Sequence, residues 1–157
     1  MLLGYGAKNC WCFKDWLDIN LRLNGYVPKD VSDNRDYSLI LGFEGANASG
    51  KTSALKVFAF IADFIKNSFI YTPESLILYD SFFNNNEPSE FYVEFTDSDE
   101  LEYRYEAILQ KDHVIKETLF LIKSTVEEIL LQRDNNEVSV NHLYDNESKI
   151  ILRNNAS

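Results

Sequence analysis

Eight consecutive residues constrain this chain more than any other feature: Gly45-Ala46-Asn47-Ala48-Ser49-Gly50-Lys51-Thr52. They match G-x-x-x-x-G-K-[ST], a pattern that demands an extended element before it and a helix after it. Both flanks comply. Residues 38–43 form a short apolar run suited to a buried strand. From Thr52 to about Asn67 apolar residues recur at Leu55, Phe58, Ile61, Ala62, Ile65 and Phe69, with Lys56, Asp63 and Lys66 off that stripe, which predicts an amphipathic helix. Each residue type in the loop has a mechanical reason. Glycines and small side chains let successive backbone N–H groups turn inward around a phosphate, and the helix N-terminus adds partial positive charge to the same oxygens. Lys51 then reaches the β and γ phosphates, and the Thr52 hydroxyl is placed on a Mg²⁺ ion that keeps most of its shell as water and phosphate oxygen.

The rest of the chain reads largely as strands. Residues 16–23 alternate Leu17, Ile19, Leu21 and Leu23 against Asp18, Asn20 and Arg22, the period of a half-buried strand, and residues 2–8 are its expected antiparallel partner. Pro28 and several Asp and Asn residues make 25–37 a loop, and Asn84-Asn85-Asn86 followed by Glu87-Pro88 makes another. Phe91, Val93 and Phe95, a turn at Asp97-Ser98-Asp99, then Leu101, Tyr103, Tyr105, Ala107 and Leu109 predict a hairpin. Ile115, Glu117, Leu119 and Leu121 extend it to a meander, with weaker candidate strands at 126–131, 138–140 and 149–152. The expected fold is α+β or α/β: a mixed twisted sheet around the loop helix, with an antiparallel meander on one flank. Residues 1–70 are read as the phosphate-binding part and 71–157 as the antiparallel part of one unit.

Composition narrows the functional classes. A chain of 157 residues, 45% hydrophobic and 14% aromatic, has ample material for a packed core. Fifteen Lys and Arg against 25 Asp and Glu leave a formal charge of −10, which opposes non-specific attraction to nucleic acid or anionic lipid. Cys10 and Cys12 are too few for a disulfide framework, so a reducing compartment is the default. The longest apolar stretch, 54–70, is broken by Lys56, Asp63, Lys66 and Asn67, and no secretory leader opens the chain, so a cytoplasmic location without a membrane span is expected.

The run from Asn47 through Thr52 to Ala54-Leu55-Lys56 resembles the N-x-S-G-K-[ST]-x-x-L-K signature of ABC-type ATPase heads of the chromosome-maintenance, RecF-like and OLD-type group. It is most similar to the AAA/ABC ATPases of bacterial phage defence and abortive infection. Three further stretches share the resemblance, which spans most of the chain. Residues 8–15, Lys-Asn-Cys-Trp-Cys-Phe-Lys-Asp, resemble the family opening K-N-F-R-S-F-K-D. Residues 55–68 resemble its L-L-K-A-L-x-F-L-x-x-F-V-x-x-S helix, and residues 91–119 its F-x-F-x-x-x-Y-x-Y, hairpin, I-x-x-E-x-L pattern.

The resemblance implies MgATP bound by residues 45–52 and Ser53, with Lys51 and Thr52 as the catalytic pair and Thr52 as the metal ligand. It also implies that Asn9 and Trp11, near the first turn, lie against the nucleotide. A second lobe would carry the Walker B acids, signature loop and switch histidine, none of which this sequence contains. The chain is therefore expected to be an N-terminal lobe that binds MgATP without hydrolysing it. A C-terminal lobe or a second head, in a homodimer, and a nuclease effector are the implied partners.

Two departures stand out. Trp11 occupies the usual arginine position and Cys12 the usual serine position, so Trp11 either stacks on adenine or caps the sheet. Gln110 and Gln132 are the only glutamines, and neither fits the family's metal-reaching Gln. His113 and His142 lack ligand-spaced partners for zinc. Asp97, Asp99 and Glu100 read as a solvated turn rather than a cation site, and Glu117 as a lobe-fixing residue or an edge charge. Two rival functions use the same loop: a small P-loop kinase, disfavoured by the strands that follow the helix, and a nucleotide-sensing interaction module without catalysis.

Overall fold

A computed structural model describes residues 1–70, 72, 74–124, 126–141 and 156. Among the described residues seven strands form one sheet: β1 (Leu2–Lys8), β2 (Leu17–Asn20), β3 (Ser89–Thr96), β4 (Glu102–Leu109), β5 (Val114–Lys123), β6 (Val126–Asp134) and β7 (Glu137–Val140). Their order is β2-β1-β3-β4-β5-β6-β7, and every neighbouring pair is antiparallel. The expected β1–β2 pairing is present, with Gly4 opposite Asn20 and Ala7 opposite Leu17. The meander from β3 to β7 also follows the alternation in the sequence. The candidate strand at 149–152 lies outside the described residues.

Among the described residues two α-helices interrupt the strands, α1 (Lys29–Ser32) inside the 25–37 loop and α2 (Lys51–Asn67) after the glycine loop. Helix α2 lies against β1 and β3. Its buried residues Ala54, Val57, Ile61 and Phe64 join Tyr5, Ala7, Phe91, Val93, Tyr105, Ala107 and Leu109 in the core, with Phe60 wedged 4.8 Å from the Phe91 ring. β1 is buried from Leu3 to Ala7. Gly6 permits that density, because a Cβ there would meet the Tyr92 ring at 2.3 Å and the Leu17 carbonyl oxygen at 2.4 Å.

The mixed sheet expected from the sequence is not what these residues build: among the described residues the sheet is entirely antiparallel. The missing piece is the 38–43 strand. A strand needs backbone partners along its length, and among the described residues this segment obtains them only at its start, where the Ser38 N–H bonds the Leu21 carbonyl at 2.8 Å. Ser38 Oγ then turns on its own chain, donating to the Ile40 carbonyl at 2.8 Å, a local bond that competes with extended pairing. Leu39, Ile40 and Leu41 are consequently exposed, Ile40 by 85%.

The helix face also differs from expectation. Of the stripe assigned to the core, Ile61 is buried as expected, whereas Leu55, Phe58, Ala62, Ile65 and Phe69 are exposed, Phe58 still touching the Tyr5 ring at 5.4 Å; Ala54, Val57, Ile61 and Phe64 form the buried face. The helix carries apolar residues on two faces. Periodicity alone registers both and does not select which meets the sheet.

Candidate nucleotide-binding site

The glycine loop runs exposed from Gly45 to Ser49 and enters α2 through Gly50, whose φ of 89° is left-handed. The first N–H groups of a helix have no intrahelical acceptor, and among the described residues no side chain caps this helix start. Among the described residues, the N–H groups of Ala48, Gly50, Lys51 and Thr52 take no protein acceptor, whereas that of Ser49 bonds the Ala46 carbonyl at 3.3 Å. Ala48 is itself left-handed at φ 63°, which turns the chain sharply before the helix. Lys51 Nζ folds back onto the loop, donating to the carbonyls of Gly45 at 2.7 Å and Ala46 at 2.6 Å and to Ser49 Oγ at 3.3 Å. The Thr52 side chain is exposed on the first helical turn.

A second element abuts this loop. After β1 the chain makes a tight turn in which the Cys10 and Phe13 backbones bond each other at 3.0 and 2.8 Å. Asn9 and Trp11 adopt left-handed φ of 55° and 46° to make it. A Cβ on Gly50 would meet Cys12 Sγ at 3.3 Å and the Phe13 ring at 3.5 Å, so the helix start is seated directly on this turn. Trp11 is half-buried, its ring edge-on to Phe60 at 6.1 Å, and its N–H bonds the Asp80 carbonyl at 2.7 Å.

Trp11, Cys12 and Ser53 share an open hollow of about 700 Å³ with Asp80, Phe82 and Phe83. The structure thus brings Trp11 beside the helix start. Asn9 differs. Its amide donates to Asn85 Oδ1 and to the Glu87 and Pro88 carbonyls, each at 3.0 Å, and accepts from Asn85 Nδ2 at 2.7 Å. A buried Asn with its amide so engaged is a brace for the 85–88 segment rather than a ligand for nucleotide. Phe82 and Phe83 were not singled out from the sequence. A Phe-Phe pair before three asparagines reads as loop punctuation, and only the fold brings it to residues 11, 12 and 53.

The remaining candidates resolve into structure. Cys10 is buried, and burial pushes its thiol up to about 12, far from a redox-active thiolate; Cys12 is exposed, and both are free. Asp97 closes the β3–β4 turn, accepting from the Asp99 and Leu101 N–H groups at 2.9 and 3.0 Å and from the Tyr103 hydroxyl at 3.1 Å. His113 Nδ1 pairs with Asp112 at 2.7 Å, and that bond holds the Asp112 carboxyl below its ordinary value. Among the described residues no group of three His, Cys, Asp or Glu side chains could hold a metal. Glu117 is buried between β5 and its neighbours, paired with Arg133 at 3.0 Å and with the Tyr105 hydroxyl, and is not an exposed edge charge. Gln110 bonds the Asn86 carbonyl at 2.9 Å, and Gln132 sits within β6. His142 lies outside the described residues. Among those residues no helix is long and apolar enough to cross a membrane.

The sequence profile of one family, described as "AAA domain, putative AbiEii toxin, Type IV TA system", matches residues 40–150. No curated protein and no solved structure matches the chain. The match takes in the glycine loop, α2 and the strands from β3 to β7, more than half of the sequence. The chain belongs to this AAA-domain family and carries the nucleotide-binding, ATPase-type domain of a P-loop NTPase.

Proposed function

We propose that this chain binds MgATP through residues 45–53, as the N-terminal lobe of an ABC-type ATPase head. The observation that carries the reading is the uncapped start of α2, where unpartnered N–H groups, a left-handed glycine and a lysine ammonium converge on one exposed bend. A triphosphate offers those donors anionic acceptors stronger than the neutral carbonyls that Lys51 now contacts. The exposed Thr52 hydroxyl is a hard oxygen donor, which suits Mg²⁺; the ion would complete its shell from phosphate and water and neutralise charge on the β and γ oxygens.

Two features support a lobe completed by further protein. Residues 39–41 and the outward stripe of α2, Leu55, Phe58 and Ile65, are apolar and exposed. A C-terminal lobe or a second head is the fitting partner in this reading. The group that activates the attacking water belongs there, so this chain alone binds nucleotide without turning it over. Coupling of the nucleotide cycle to an effector in phage defence rests on the family resemblance and on the family's description as a toxin of a toxin–antitoxin system.

The test is thermal denaturation with and without MgATP. At a hundredfold excess over its dissociation constant, bound nucleotide stabilises the chain by about 2.7 kcal/mol. The unfolding midpoint should rise accordingly, and Lys51→Ala should lose the rise. An unmoved midpoint in the wild-type chain contradicts the reading.

A further inference from the structure

The outer face of the sheet, turned away from α2, carries a hollow of its own. In β1 the residues on that face are Gly4 and Gly6, alternating with the core residues Leu3, Tyr5 and Ala7. The Tyr92 ring lies over Gly6. Above Gly4 only the Glu94 carboxylate and the β2 backbone come near, which leaves about 290 Å³ open between Trp16, Asp18, Asn20, Tyr92 and Arg104. The cations here are already matched. Arg22 pairs with Glu94 at 3.1 Å and with Glu102 at 3.0 Å, and Arg104 pairs with Glu106 at 2.8 Å while its guanidinium lies 5.2 Å from the centre of the Tyr92 ring. Asp18 differs. Its carboxylate accepts from the Tyr92 hydroxyl, a neutral partner, and among the described residues no cation stands within ion-pair distance of it. Trp16 lines the same hollow, 48% exposed, with its ring 5.8 Å from that of Tyr92.

The hollow lies at a free edge. β2 ends the sheet on this side among the described residues. The Leu21 N–H bonds the Leu3 carbonyl at 2.9 Å, so by antiparallel alternation the backbone N–H and C=O groups of Asp18 and Asn20 point away from β1, toward that edge. A further strand laid along it would bond these groups and set one of its outward side chains opposite Asp18, with Trp16 and Asn20 on either side. Arginine is the side chain that suits an unpaired carboxylate beside an exposed indole. Its planar guanidinium stacks on the ring, and its paired N–H groups fork onto the carboxylate. The formal charge of −10 on the chain favours approach of a basic segment.

We infer that β2 is a docking edge for an extended, arginine-bearing segment of a partner protein, with the guanidinium held between Asp18 and Trp16 over Gly4. The site is on the face opposite α2 and does not depend on the phosphate loop. The experiment titrates the isotope-labelled chain, followed by NMR, with three probes: a blocked peptide of alternating threonine and valine around a central arginine, the same peptide with citrulline as the neutral isostere, and free argininamide. The arginine peptide should bind saturably and shift the Asp18 and Asn20 amides and the Trp16 indole N–H. Citrulline should weaken binding about tenfold, the size of an exposed ion pair together with a cation–π contact. Asp18→Asn should weaken the arginine peptide by a similar factor and leave the citrulline peptide unchanged, and Trp16→Ala should also weaken the arginine peptide. Argininamide, which brings the cation without a strand, should bind more weakly than the arginine peptide. The comparison of the two peptides on the wild-type chain needs no variant to fold. Absence of saturable shifts, equal affinity for the arginine and citrulline peptides, or shifts that leave β2 untouched overturns the inference. Argininamide binding as tightly as the arginine peptide also overturns it, because the occupant is then a free cation and not a strand.

Discussion

The ammonium of Lys51 donates a 2.7 Å hydrogen bond to the carbonyl oxygen of Gly45, the first residue of the glycine loop. With the 2.6 Å bond to the Ala46 carbonyl it ties the start of α2 to the start of the bend. The loop is thereby held in a defined turn while the amides of Gly50, Lys51 and Thr52 keep no protein acceptor among the described residues. In the proposed function, anionic oxygens replace these carbonyls as the lysine's partners.

Gly50 is fixed by two independent constraints. Its φ of 89° strains any side chain, and a Cβ would crowd Cys12 Sγ at 3.3 Å. Gly50→Ala should therefore destabilise the chain by about 1–2 kcal/mol and weaken MgATP binding, since the loop must shift. Urea denaturation and calorimetry read the two effects. An unchanged midpoint contradicts the strain argument.

The two cysteines should differ sharply in reactivity. Burial pushes the Cys10 thiol up to about 12, so its thiolate, the reactive form, is scarce at neutral pH and stays so at pH 9. Iodoacetamide should add one group to the native chain, at exposed Cys12, and reach Cys10 only after unfolding. Saturating MgATP should slow labelling of Cys12, which lines the hollow. Peptide mass mapping checks both, and labelling of native Cys10 first contradicts the account.

Trp11 lines that hollow while its ring edge rests on Phe60. In a Trp16→Phe background, MgATP should quench or shift Trp11 fluorescence, and tripolyphosphate should not. A spectrum silent to nucleotide that binds calorimetrically leaves Trp11 a cap over the sheet.

Glu117 and Arg133 stand directly opposite each other on β5 and β6, both buried, with the Tyr105 hydroxyl on the same carboxylate. Removing one partner strands a buried charge. Arg133→Leu should cost about 3–5 kcal/mol in urea denaturation while leaving MgATP affinity unchanged in the folded fraction. A loss below 1 kcal/mol, the usual range for an exposed pair, contradicts the burial argument.

The parts of this molecule that were legible in the sequence are those governed by local pattern. Alternation in 16–23, 91–95 and 101–109 located β2, β3 and β4, and the glycine spacing located the bend before α2. What escaped depends on partners distant in the chain. Residues 38–43 have the composition of a buried strand, yet strand formation needs a neighbour, and Ser38 satisfies its hydroxyl locally instead. Helix α2 bears two apolar faces, and only the position of β1 decides which is buried. The Glu117–Arg133 pair depends on a register that shifts between Leu119 and Phe120, an irregularity without a sequence signal here. The left-handed bend at Phe83 escaped for a similar reason: the Phe82 N–H beside it is held by the Asn9 carbonyl, 74 positions before Phe83 in the chain.

The most direct test of the central claim is isothermal titration of MgATP into the wild-type chain and Lys51→Ala, with circular dichroism to verify that both are folded. The account predicts saturable one-to-one binding by the wild type and none detectable in the variant, with matching spectra. Equal affinity in the two chains would show that the bend at residues 45–52 does not hold the nucleotide.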